Sequence, residues 1–323
     1  MNDLISRRSP RRYRRAILFL GIFLSLSIFI LYYFFILSKP ISGRESLLLI
    51  TDTIYIVSKS NLDNRWIILS IPGDTTIQAV KGYGMYTLDA LWKLGLIEKT
   101  GGKVLLESLE DALGIPLSWY IHDTSQKSSQ FISPIQHVKS VLSFMHIVSQ
   151  LLRQSDKNIP IRNLLAFSWS FSIGTNDKIT VIDFAKSNVT GEENLPDGSK
   201  ISILRQDELD VLFGTEYEDP RIRTERISIA LYNGTNYPLL GNHAARMINR
   251  IGGYVVSIGN WQSMESECII SGSKKALDTY TARLLSAMFF CRQDMSISNE
   301  KADIQIILGA AYEKRFLPDS PSH

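Results

Sequence analysis

Cysteine is almost missing from this chain. With only Cys268 and Cys291 among 323 residues, a zinc ribbon or a cysteine-ligated iron–sulfur cluster is excluded. Phosphate-binding glycine signatures are missing too: Gly82-Tyr83-Gly84 lacks the later glycine and lysine. The five histidines, His122, His137, His146, His243 and His323, show no i, i+4 pair, and none lies in a serine or cysteine nucleophile motif. Beyond residue 15 there is no basic excess: 29 basic and 31 acidic residues give a net charge of −2, which argues against a nucleic-acid-binding face. Disorder and collagen-like repetition are excluded by an apolar content of 45% against 21% charged.

One stretch lacks charge altogether. Residues 16–37, AILFLGIFLSLSIFILYYFFIL, are 22 uncharged residues. As a helix at about 1.5 Å per residue they reach roughly 33 Å, enough for a hydrocarbon core of about 30 Å. Residues 1–15 carry six arginines and one aspartate, and only Lys39 and Arg44 follow closely on the other side. The positive-inside rule therefore places a basic arm (1–15) in the cytoplasm, a single transmembrane helix (16–37), and the rest outside the cell membrane. Tyr32, Tyr33, Phe34 and Phe35 suit the outer interface. A cleaved signal peptide would have a shorter apolar core and a small-residue cleavage site, which Ile36-Leu37-Ser38-Lys39-Pro40 does not supply.

The body reads as α/β. SLLLITDTIYIVS (46–58) and WIILSI (66–71) form a hairpin around Asn61-Leu62-Asp63-Asn64, with Asp52 in mid-strand and Asp74 in the turn after Pro72-Gly73. Helices are expected over Tyr86–Leu94, Lys103–Leu113, Pro134–Arg153 and Gln206–Phe213, strands over Trp119–Ile121 and Lys178–Phe184, and a loop over Thr190–Ser199. The charged stretch Thr215–Arg226 divides the chain into a first domain (45–220) and a second (226–314). The second has the order β-α-β-β-α-β: Ile227–Leu231, Leu239–Ile251, Tyr254–Ile258, Cys268–Ile270, Lys274–Phe289 and Asp303–Leu308. That order suggests a split βαβ, ferredoxin-like layout. Cys268 is read as a buried free thiol, with a Cys268–Cys291 disulfide as the alternative that an extracytoplasmic location permits. Asn233-Gly234-Thr235, between a strand and a helix, is a candidate anion-binding turn and chiefly a structural one. Asn188-Val-Thr and Asn233-Gly-Thr are formal glycosylation sequons.

These residues carry a resemblance. ISIALYNGT, the helix 241–251, YVVSIGNW and ADIQIILGAAY resemble the C-terminal domain of LytR-type envelope proteins. Upstream, Thr51-Asp52-Thr53-Ile54, Leu69-Ser70-Ile71-Pro72-Gly73-Asp74-Thr75 and Gly114-Ile115-Pro116 resemble the LytR-CpsA-Psr catalytic domain and its S-I-P-R-D-T motif. The resemblance implies an extracytoplasmic protein concerned with cell-wall glycopolymers. Family members transfer such polymers from polyprenyl-pyrophosphate carriers, usually with a divalent metal such as magnesium. By that likeness Asp52 and Asp74 are the remnant catalytic candidates, and Asp52 the metal candidate.

The motif arginine is missing: Gly73 stands in its place. The family's first acidic motif and its downstream arginine-rich motif have no counterpart. A bidentate guanidinium that neutralises a departing pyrophosphate cannot be replaced by glycine, and loss of such a group costs on the order of 10³–10⁵ in rate where arginine fingers have been measured. The expectation is thus a degenerate, non-catalytic envelope protein without a cofactor, binding wall glycan, polyprenyl-linked glycan or an envelope protein, and no nucleic acid. The alternatives are an active transferase with substitute arginines (Arg65, Arg153, Arg162 or Arg205) and a structural interaction module.

Overall fold

The computed structural model describes residues 17, 19–29, 32, 43–123, 155–172, 178–194, 196, 198, 200–295 and 302–317. The basic arm, the helix expected over Pro134–Arg153 and Arg153 itself lie outside the described residues. Of the uncharged run, residues 17, 19–29 and 32 are described and helical. Among the described residues no helix is long and apolar enough to cross a membrane.

Among the described residues the body is mixed α/β with three sheets. The first has six strands in the order β7-β6-β1-β2-β3-β8: β1 Arg44–Ile50, β2 Thr53–Ser60, β3 Trp66–Pro72, β6 Trp119–Asp123, β7 Ser155–Lys157 and β8 Ile179–Asp183. β1, β2 and β3 form an antiparallel meander, while β6 joins β1 and β8 joins β3 in parallel. The long run 46–58 is therefore two strands and not one. The chain reverses at Thr51-Asp52, where the Thr51 hydroxyl bonds the Thr53 carbonyl at 2.5 Å, so Asp52 lies in a turn rather than mid-strand.

Strand alternation divides this sheet's side chains between two cores. Leu48, Ile54, Ile56, Leu69 and Ile71 pack with α1 Leu88–Ile97 and α2 Lys103–Leu113 through Leu91, Leu105 and Leu109. Leu47, Val57, Trp66 and Ile68 face the other way onto α3 Ile161–Ser172 through Leu164 and Phe167. Trp66 meets Phe167 and Phe171 edge-on, with ring centroids 5.1 and 4.9 Å away. The α2 helix stops at Gly114, whose φ of 66° suits glycine.

A second sheet has the order β5-β4-β10-β9: β4 Thr75–Ala79, β5 Gly84–Thr87, β9 Thr190–Asn194 and β10 Lys200–Leu204. The expected loop 190–199 thus begins as strand β9, antiparallel to β10. Helices α4 Gln206–Phe213 and α5 Pro220–Glu225 follow.

The third sheet, order β12-β11-β15-β13-β14, comprises β11 Ser228–Asn233, β12 Tyr254–Asn260, β13 Ile269–Gly272, β14 Arg292–Asp294 and β15 Ile304–Leu308. The ferredoxin-like expectation is corrected here. β11 and β12 are direct parallel neighbours, so this βαβ unit is not split, and β15 lies parallel on the other side of β11. Helix α6 Leu240–Arg250 connects β11 to β12. The helix expected over Lys274–Phe289 is two, α7 Lys274–Leu277 and α8 Tyr280–Phe289, because the Thr279 hydroxyl caps a fresh start by accepting from the Ala282 N–H. A short helix α9, Ala310–Glu313, closes the fold. The core joins Ile229, Leu231, Ile306 and Leu308 to Ala244, Ile248, Leu285 and Phe289.

Cys268 and Cys291 form a disulfide, which corrects the free-thiol reading. Parallel pairing of Ile269 with Arg292 sets the two preceding residues side by side, with Cα atoms 4.3 Å apart. Spacing along the chain does not reveal that register.

Candidate functional site

The two sequence-derived aspartates are neighbours in space. Thr53 pairs with Pro72 across β2 and β3, which sets Asp52 beside the Gly73-Asp74 turn. Both side chains are exposed. Helix α1 begins against the same turn: the Thr87 hydroxyl caps it by accepting from the Ala90 N–H, and the Asp89 N–H donates to the Gly73 carbonyl at 3.0 Å.

That contact brings in a third carboxylate that the sequence reading missed. A Cβ on Gly73 would sit 2.3 Å from Asp89 Oδ1, so the carboxylate occupies the space where a side chain at 73 would begin. Partial desolvation pushes the Asp89 carboxyl above its ordinary range; Lys93 pulls it down, and the charges of Asp52 and Asp74 push it further up. Asp89 therefore senses the charges of both Asp52 and Asp74. The available sequence signal was Asp89 in the first turn after a threonine cap, which reads equally as an ordinary helix start.

Among the described residues no group of three or more His, Cys, Asp or Glu side chains is placed to hold a metal ion. The substitute arginines Arg65, Arg162 and Arg205 have other partners among the described residues. Arg65 sits at the opposite end of the β2–β3 hairpin, about 20 Å away at roughly 3.3 Å per residue, where it pairs with Asp63 and, at 3.8 Å, with Glu216. Arg205 pairs with Glu208 at 3.3 Å. Arg162 Nε donates to Asn163 Oδ1 at 3.5 Å at the start of α3.

The Asn233–Thr235 turn is knitted into its own surroundings. Gly234 N–H donates to the Leu308 carbonyl (2.9 Å), Thr235 N–H to Asn233 Oδ1 (3.0 Å) and Tyr237 N–H to Thr235 Oγ1 (3.1 Å). Asn233 Nδ2 in turn donates to the Tyr237 carbonyl at 2.8 Å. An anion there would have to displace these bonds. His122 stacks on Trp92 with centroids 4.0 Å apart, and His243 Nδ1 lies 2.6 Å from Asp111 Oδ1.

No family model matches the chain, and no curated protein matches it. Solved structures resemble it in outline. TagV of B. subtilis is 16% identical at a TM-score of 0.41, covering 53% of this chain and 94% of that one. TagT of B. subtilis, also solved "bound to LIIa-WTA", is 14% identical at a TM-score of 0.37, covering 54% and 89%. Protein gbs0355 of Streptococcus agalactiae is 13% identical at a TM-score of 0.39, covering 53% and 85%. Identity at this level says nothing of chemistry.

Proposed function

We propose that this chain is a single-pass, membrane-anchored protein of the cell envelope whose body lies outside the cytoplasm. There it binds wall glycopolymer, a lipid-linked glycan or an envelope protein, and carries out no polymer transfer. The observation that carries the non-catalytic reading is Asp89 lodged against Gly73. Where the motif that this chain resembles has an arginine, the chain has a bare backbone and an added carboxylate. Such a site repels a pyrophosphate.

Two observations support the location. The described part of the uncharged helix exposes large apolar groups all round, among them Phe19, Leu20, Phe23 and Phe29 at 63–73%; a helix apolar on every face suits lipid. The Cys268–Cys291 disulfide suits an oxidising compartment.

The reading is tested by incubating the full-length chain in lipid nanodiscs with isolated cell walls and with membrane lipid extract. Retention on either is expected. Loss of both contradicts it. A second reading, an active transferase, draws on the clustering of Asp52, Asp74 and Asp89 at one turn. It requires metal-dependent release of polyprenyl phosphate from a lipid-linked glycan, abolished by Asp52→Ala.

A further inference from the structure

Between helices α2 and α8 lies an open cleft of about 890 Å³, within the ~300–1,000 Å³ typical of ligand sites. Its two walls differ in kind. One is a single face of α2, where Lys103, Glu107 and Glu110 recur at helical spacing, continued by Arg162 and Asn163 at the start of α3. The other is the last turns of α8, where Leu284, Met288 and Phe290 present apolar groups. Phe290 is 87% exposed and holds a φ of 55°. A bulky side chain is thus kept in water, on a backbone conformation that favours glycine or asparagine.

Charge decides the class of ligand. Four cationic and three anionic side chains line the cleft. Glu110 is tied to Arg315, and Lys103 Nζ lies 3.9 Å from Glu107 Oε1. A polyanion would need a clear cationic surplus. A near-balanced mixture of donors and acceptors facing an apolar wall suits a molecule that is itself two-sided, with apolar C–H faces and a rim of hydroxyls that both donate and accept. Sugar rings have that form.

We propose that this cleft binds an uncharged glycan chain, its ring faces against Phe290 and Met288 and its hydroxyls against Lys103, Glu107 and Asn163. The inference rests on the envelope-glycan reading above, and gives that reading a binding site remote from the Asp52–Asp74 turn.

The test uses the full-length chain in nanodiscs, titrated calorimetrically with chitotetraose, with retention on isolated cell walls as a parallel arm. Two exposed positions are varied: Phe290→Asn, which keeps the left-handed backbone at low cost, and Lys103→Ala. Saturable chitotetraose binding is expected, weakened roughly 3–10-fold by Phe290→Asn and measurably by Lys103→Ala, with unchanged melting temperatures. Wall retention by wild type and Phe290→Asn alike, without chitotetraose binding, overturns the cleft proposal and leaves the envelope reading standing. Chitotetraose binding without wall retention supports the cleft and counts against the wider reading. Displacement of chitotetraose by polyphosphate, sensitive to the same substitutions, overturns the assignment to an uncharged ligand.

Discussion

Arg315, just past the last helix, donates into the carboxylate of Glu110, which is buried on α2. This pair fastens the end of the chain to the body. Desolvation raises the Glu110 carboxyl, with Arg315 and the Leu117 N–H (3.2 Å) opposing. Removing one partner strands a buried charge, which typically costs about 3–5 kcal/mol. Arg315→Ala, which strands buried Glu110, should destabilise by that order in urea unfolding, and Glu110→Ala, which leaves the partly exposed Arg315, by less. The double variant Glu110→Gln with Arg315→Met keeps an acceptor for Leu117 and should recover most of the loss. Additive losses would show that the pair is not coupled.

The carboxylate of Glu225 caps helix α8, accepting from the N–H groups of Tyr280 (2.8 Å) and Thr281 (2.7 Å) and from the Thr281 hydroxyl (2.6 Å). Burial pulls its carboxyl upward, but these hydrogen bonds outweigh it and hold the group below the ordinary range. A depressed carboxyl stabilises the fold above its unfolded value of about pH 4. That contribution fades as the pH falls through the folded value. Glu225→Ala should cost about 0.5–2 kcal/mol near neutrality, and progressively less in acid. A cost that does not change with pH would contradict this account.

Closing a 23-residue separation, the Cys268–Cys291 bond should contribute roughly 2–4 kcal/mol. Chain isolated from its native source without reductant should show no maleimide-reactive thiol after denaturation. Two reactive thiols would place the body in a reducing compartment.

The electrostatic triangle at the turn is open to NMR titration. Asp52→Asn or Asp74→Asn should lower the Asp89 carboxyl, because each removes a like charge. An unmoved Asp89 would show that the three do not form one site.

Trp66 is 1% exposed between Phe167 and Phe171. Trp66→Ala should cost roughly 3–5 kcal/mol in urea unfolding. A loss under about 1 kcal/mol would mean that α3 does not cover this face.

How much of this is legible in the sequence follows from the range of each signal. Amphipathic α2 and α6 are local patterns and stand within a residue of their expected ends, while α1 runs past Gly95 to Ile97, three residues beyond its expected end. The Thr51-Asp52 reversal is not legible, because it interrupts an unbroken β-rich run without glycine, proline or asparagine. Helix α3 is not among the expected elements, although Leu164, Phe167 and Phe171 recur at helical spacing after Pro160. The parallel β11–β12 pairing, the disulfide and the arrival of Asp89 at Gly73 depend on tertiary register, which element order does not encode. The missing motif arginine needs no tertiary information and is plain at Gly73.

Membrane sidedness underlies everything proposed here. The most direct measurement is protease treatment of intact, right-side-out spheroplasts of the source cell, followed by detection of the N-terminal arm and of the C-terminus. The account predicts that the C-terminal epitope disappears while a short N-terminal fragment stays protected in the membrane. A full-length chain that resists protease until the cells are lysed, or one recovered in the soluble fraction, would contradict it.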